Sequence, residues 1–147
     1  MRLSKKRRSV VVLDSNVWIS AIIFGGKPAK LVSLAEQDAV VIALSDDIVR
    51  EIRRILGYEK LRSVYAQAGT KRTELIGKIL SIAHLVKPRK RVDVIKDDPS
   101  DDRVIECALA AKASHIVSGN EHLLRVGSYA GIVVISVKDF LREMKVG

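Results

Sequence analysis

Residues 9–16 read SVVVLDSN. The apolar part of this stretch is β-branched and unbroken, which is the pattern of a strand covered on both faces. Asp14 closes it with a carboxylate. An apolar helical run follows over Ser15–Phe24 and stops at Gly25-Gly26, and Pro28 then opens a second helix reaching Gln37. Residues 39–44 (AVVIAL) form the next buried strand. Strand, helix and strand in that order make a right-handed βαβ unit. We therefore expect an α/β fold, a three-layer α/β/α sandwich around a central parallel sheet. Such sheets gather their chemistry beyond the carboxyl ends of the strands, which is where Asp14 falls.

The alternation continues along the chain. Ser45 can cap a helix whose Ile48, Ile52, Ile55 and Leu56 share one face. Residues 58–68 and 70–83 read as two further helices separated at Gly69, followed by a strand near 84–86. Residues 87–96 are basic and contain Pro88, so they read as a loop or edge segment. Ser100 is the expected cap of a helix over 101–112, with Val104, Ile105, Ala108 and Leu109 as its apolar stripe. Strands over 115–118 and 131–135 come last, and Ser136-x-x-Asp139 reads as a capping box for a final helix whose Phe140, Leu141 and Met144 face inward. No repeat or linker divides the chain. We expect one domain over residues 9–147, preceded by a disordered basic tail over 1–8.

Composition narrows the function. Of 147 residues, 48% are apolar and 29% charged, as in a soluble globular domain. Aromatics are only 4%, which argues against binding nucleic acid mainly by base stacking. The net charge is +9, and five cations (Arg2, Lys5, Lys6, Arg7, Arg8) crowd the first eight residues. The remainder, with 21 basic and 17 acidic residues, keeps a balance of +4. Cys107 is the only cysteine, so neither an intrachain disulfide nor a cysteine metal site can form. Apolar runs are too short for a membrane span, and Asp14 interrupts the one stretch that resembles a signal peptide. A cytoplasmic location is expected.

Acidic residues carry the chemistry. Asp14, Glu51 and Asp101, with Asn120 at a fourth place, each adjoin a short apolar run, so a parallel sheet can collect them at one edge. Crowded carboxylates repel one another, and a bound divalent cation relieves that repulsion. Each also has a plainer explanation. Asp14 can cap the following helix, with Ser15 or Asn16 orienting its carboxylate in the metal reading. Glu51, among Arg50, Arg53 and Arg54, can be a surface acid in an i,i+3 pair. The acids Asp97, Asp98, Asp101 and Asp102 suit a helix N-terminus, and Glu106 borders the stripe of that helix. Residues 118–122 (SGNEH) can be a turn into a helix, with Asn120 or Ser118 as its cap. His84, His115 and His122 lack metal-ligand spacing and read as structural, and Trp18 and Cys107 read as core. Gly25-Gly26-Lys27-Pro28 lacks the spacing and hydroxyl of a phosphate-binding loop.

Taken together, these pieces resemble the PIN-domain family, particularly the VapC-like toxins of prokaryotic toxin–antitoxin pairs. The resemblance runs from Val10 to Met144. It is carried by Leu13-Asp14-Ser15-Asn16-Val17, by the helical Glu51, by residues 98–108 (DPSDDRVIECA) and by residues 116–124 (IVSGNEHLL). It implies that Asp14, Glu51 and Asp101 bind metal, that Ser118 and Asn16 support them, and that Asn120 stands where the family commonly has Asp. Asn keeps an oxygen and the shape but loses the charge, a loss that Glu121, Asp102 or Glu106 could offset. The implied activity is a Mg²⁺- or Mn²⁺-dependent endoribonuclease leaving a 5′-phosphate and a 3′-hydroxyl, working as a homodimer and restrained by an antitoxin protein. Lys27, Lys30, Arg53, Arg54, Lys87, Arg89, Lys90 and Arg91 are the candidates to track the RNA backbone. The alternative is a non-catalytic RNA-binding or scaffold domain whose metal site has decayed at Asn120.

Overall fold

A computed structural model describes residues 8–96 and 98–146. Among the described residues six strands form one sheet: β1 (Ser9–Leu13), β2 (Val40–Leu44), β3 (His84–Leu85), β4 (His115–Val117), β5 (Ser128–Tyr129) and β6 (Ile132–Ile135), in the spatial order β3-β2-β1-β4-β6-β5. All neighbours are parallel except β5, which runs antiparallel to β6 at the edge. The sheet is thus mixed at one margin, where the sequence led us to expect only parallel strands. A two-residue strand gives no readable alternation, which is why β5 escaped notice.

The helices are α1 (Ser15–Ile19), continued by a π-helical turn (Ser20–Phe24), then α2 (Gly26–Glu36), α3 (Asp46–Leu56), α4 (Glu59–Gln67), α5 (Arg72–Ile82), α6 (Pro99–Ala111), α7 (Glu121–Val126) and α8 (Val137–Glu143). Val11, Val12 and Leu13 are consecutive and wholly buried. Successive side chains on a strand point to opposite faces, so unbroken burial requires a layer on each side of the sheet. The α6 helix lies against β1, β2 and β4, and α2 lies against β2. The core is aliphatic, with Trp18 and Phe140 as its largest members.

Helix ends mostly follow local chemistry. Ser45 caps α3 by accepting the Ile48 amide at 3.4 Å. The cap of α6 is Asp98, not Ser100: its carboxylate accepts the Ser100 amide at 3.0 Å and the Ser100 hydroxyl at 2.7 Å. Pro99 explains the shift, since proline at the first helical position has a preset φ and no amide to satisfy. Ser136 caps α8 through the Asp139 amide at 3.1 Å, but the Asp139 carboxylate pairs with Arg142 and so does not complete a capping box. Phe140 and Leu141 are buried, whereas Met144 is only half-buried. Of the basic tail expected over 1–8, residues 1–7 lie outside the described residues. Arg8 is described, and its guanidinium pairs with Asp38 at 3.0 Å.

Candidate metal centre

From β1 the chain moves to β2 on one side, and from β4 it moves to β6 on the other. The gap between the ends of β1 and β4 is therefore the switch point of the sheet. Asp14 and Ser118 are the first residues past those two strands. The Asp14 amide donates to the Val117 carbonyl (3.2 Å) and the Ser118 amide to the Ile135 carbonyl (3.0 Å), so the three strand ends stay locked together.

Asp14 is buried, and hydrogen bonds hold both of its carboxylate oxygens. Oδ1 caps α1 by accepting the Val17 amide at 2.8 Å, and Oδ2 accepts the Ser118 hydroxyl. Ser118 in turn accepts the Asn120 amide at 2.9 Å. Ser118, which the resemblance gave as a supporting residue, thus orients Asp14 through its side chain, and Asn16 contributes through its backbone amide. Burial raises the Asp14 pKa, opposed by the hydrogen bonds from Ser118, Val17, Gly119 and Asn16.

Asp101 reaches the same place from the first turn of α6. The Asn120 side-chain amide donates to its Oδ1 at 3.5 Å, and His122 Nδ1 stands 3.9 Å from its Oδ2. That Oδ2 is buried and has no hydrogen-bond partner among the described residues. Burial, followed by repulsion from Asp98 and Asp14, pushes the Asp101 pKa up to about 6. His122 opposes this shift and Asp102 adds to it. Two buried carboxylates linked through Ser118 and Asn120, one of their oxygens without a hydrogen bond among the described residues, suit a hard cation with oxygen ligands. Among the described residues no three His, Cys, Asp or Glu side chains gather to hold an ion. The donor set therefore fits a cation that keeps several of its own waters, as Mg²⁺ does.

A family model for the PIN domain matches residues 10–122. The chain belongs to the PIN-domain family. Solved structures agree on the fold. A chain in the crystal structure of VapBC2 from Rickettsia felis, bound to a DNA fragment from its promoter, matches with a TM-score of 0.60 at 14% identity, covering 86% of this chain and 98% of that one. PAE2754 from Pyrobaculum aerophilum matches with a TM-score of 0.58 at 15% identity, covering 94% and 90% respectively. No curated protein matches the chain.

In this PIN domain a cleft of about 480 Å³ opens beside Asp14, lined also by Asn16, Ser20, Lys27, Asn120 and Lys138. Ser20 lies in the π-helical turn, closed by a bond from the Gly25 amide to the Ser20 carbonyl at 3.0 Å. Such turns recur at functional sites. Of the three expected metal-binding acids only Asp14 lines this cleft: Asp101 lies behind Asn120, which does line it, and Glu51 stands apart. It is half-buried on α3, and Arg54 grips its Oε1 at 2.7 and 3.0 Å. Arg54 also lies over the Tyr58 ring, and Arg53 is exposed on the same helix.

Asp102 and Glu106 are buried and already engaged. Asp102 Oδ1 accepts the amides of Val94 (3.0 Å) and Ile95 (2.9 Å). Glu106 takes the Val92 amide at 2.8 Å, Arg91 at 3.0 Å and Arg103 at 3.1 Å. These bonds leave neither free to replace the charge missing at Asn120. Arg89, Lys90 and Arg91 line a separate cleft. Two residues near the site were not expected there from the sequence: His122 was read as structural and Lys138 was not singled out. His122 meets Asp101 only because α6 and α7 converge, and no local pattern announces that. Lys138 follows the end of β6, so the strand-end rule that picked Asp14 could have found it.

Proposed function

We propose that this PIN domain is a divalent-cation-dependent endoribonuclease, the toxin of a toxin–antitoxin pair, acting in the cytoplasm as a homodimer. One observation carries the catalytic part: the buried Oδ2 of Asp101, without a hydrogen-bond partner among the described residues, in a site where the charge of Asp14 reaches it. The toxin assignment is supported by the family and by the likeness in fold to a chain of VapBC2. Among the described residues no single helix is long and apolar enough to cross a membrane.

In this reading Asp14 and Asp101 would hold Mg²⁺ or Mn²⁺, and Asn120, whose oxygen accepts the His122 amide, would offer an oxygen only by turning its side chain over. Glu51 would join only by letting go of Arg54. When bound, the ion supplies Lewis acidity and a water of lowered pKa for in-line attack on a phosphodiester. Ser118 fixes the rotamer of Asp14, so that its oxygens keep one direction in the cleft. Lys27 and Lys138, both in the lining of the cleft, draw in a phosphate that two carboxylates alone would repel. His122 lowers the cost of keeping Asp101 ionised. The products would be a 5′-phosphate and a 3′-hydroxyl.

A second reading is favoured by one contact. The Asn120 amide donates to Asp101, occupying with a neutral donor the side on which a cation would otherwise be shared. On that basis the domain would bind RNA without cutting it. Incubation of the protein with single-stranded RNA and Mn²⁺ or Mg²⁺, alongside EDTA and Asp14→Asn controls, decides between the two. Metal-dependent cleavage lost in both controls supports the nuclease. Cleavage that survives either control refutes it, and cleavage that appears only in Asn120→Asp supports the binding domain.

A further inference from the structure

The second large concavity shares no lining residue with the Asp14 cleft. It measures about 510 Å³, and Lys87, Arg89, Lys90 and Arg91 form one wall. Leu109 and Tyr129 contribute to the others. Four cations within five residues normally repel each other and fray into solvent. Here the segment has no regular secondary structure, yet α6 pins it. Asp102 and Glu106 lie one helical turn apart, on one side of α6. Between them they accept the amides of Val92, Val94 and Ile95. Three backbone bonds to two buried carboxylates fix the segment that follows the cations, and the Arg91–Glu106 pair fixes its basic end.

Charge in the groove is one-sided. Its only acid among the described residues, Glu106, has a wholly buried side chain and is neutralised by Arg91 and Arg103. Lys87, Arg89 and Lys90 have no ion pair among the described residues. Arg91 also reaches Asp47 at 3.2 Å, in the first turn of α3 and just past the end of β2. This ties the groove to the same carboxyl edge of the sheet that holds Asp14. The walls combine cations with a half-buried tyrosine ring and aliphatic carbon. That pairing suits a single nucleic-acid strand, whose phosphates meet the cations while a base stacks on the ring.

We infer that this groove is a docking site for single-stranded RNA outside the catalytic cleft, built by the carboxylates of Asp102 and Glu106. The inference rests on reading this chain as acting on RNA. It also assigns those two acids to holding the RNA-binding segment, not to the metal.

The test measures binding of fluorescein-labelled oligouridylate to the full chain in EDTA, where cleavage cannot intervene, across a salt series. Arg89→Ala/Lys90→Ala removes two exposed cations without touching the core. It should weaken binding about tenfold at low salt and reduce the slope of log affinity against log salt by about 1.4, for two phosphate contacts on a single strand. Glu106→Gln should weaken binding in the same direction while all surface cations remain. Unchanged affinity and slope in the double variant overturn the inference, whether or not the wild type cleaves RNA in Mn²⁺. Lost affinity in a chain that never cleaves sustains the groove and removes only the nuclease. An acidic polypeptide is the other occupant that these charges admit. Tighter binding of poly-L-glutamate than of oligouridylate of equal charge, lost in the double variant, also overturns it.

Discussion

Asn120→Asp tests the electrostatic reading most directly. Asp is as good a helix cap as Asn, so the bond that Asn120 accepts from the His122 amide at 2.7 Å should persist. What changes is the other face of the side chain. An amide donating to Asp101 Oδ1 at 3.5 Å becomes a carboxylate facing a carboxylate. Two unit charges at that distance repel by about 1 kcal/mol in water and about 5 kcal/mol at an effective dielectric of about 20. Asn120 is half-buried, so the cost falls between those limits. For a domain of this size each kcal/mol lowers the melting temperature by about 2–4 °C.

The repulsion raises the folded-state pKa values of both carboxylates. It is therefore present at about pH 8 and is lost as pH falls through those values and the pair takes up a proton. A cation at the site reverses the sign. Saturation at about 100 times the dissociation constant returns about 2.7 kcal/mol, and Asn120→Asp should bind more tightly than the wild type. Urea unfolding at about pH 8, with EDTA and with Mn²⁺, reads both effects. The variant should be the less stable form in EDTA and should gain more than the wild type from Mn²⁺. Equal stability in EDTA, together with an equal response to Mn²⁺, would refute the juxtaposition of acids on which the site is built.

Asp101 should leave a pH signature in the wild type. Its pKa rises from 3.8 unfolded to about 6 folded, so without metal it makes stability fall as pH climbs from about 4 to about 6. Asp101→Asn should flatten that part of the urea-midpoint profile, and an unchanged slope would count against the shift. Ser118→Ala leaves a buried Asp14 oxygen and the Asn120 amide without their partner and should cost about 1–3 kcal/mol in the same assay. Ser118→Thr should keep most of it. Asp102→Ala should release the Val94 and Ile95 amides, so hydrogen exchange there should accelerate well beyond that in β1. Equal protection in variant and wild type would mean that the segment is held by something else. Cys107, buried with its thiol pushed up to about 12, should resist alkylation until the chain unfolds.

The strands and helices were legible because each is written in consecutive residues. SVVVL and AVVIAL can only be buried strands, Gly25-Gly26 stops a helix, and Ser45 and Ser136 start others. The site was legible in part for the same reason. Asp14 stands at a strand end, and the strand-end rule needs only the parallel fold to give it meaning. What failed were readings that depended on a neighbour's preference or on distance across the fold: Asp98 displaced Ser100 as a cap because of Pro99, and β5 was too short to show a period.

The sequence by itself determined every element but β5, their order, and that acids would stand at the carboxyl edge of the parallel strands. Only the tertiary structure decided what each acid faces. Asp14 and Asp101, 87 positions apart, meet at the switch point. Glu51 turns to Arg54, and Asp102 and Glu106 turn to backbone amides of a basic segment. The physical reason is that local pattern sets helix and strand, whereas a carboxylate's pKa and partners depend on burial and on charges within a few ångströms. Only the packed fold brings those charges together.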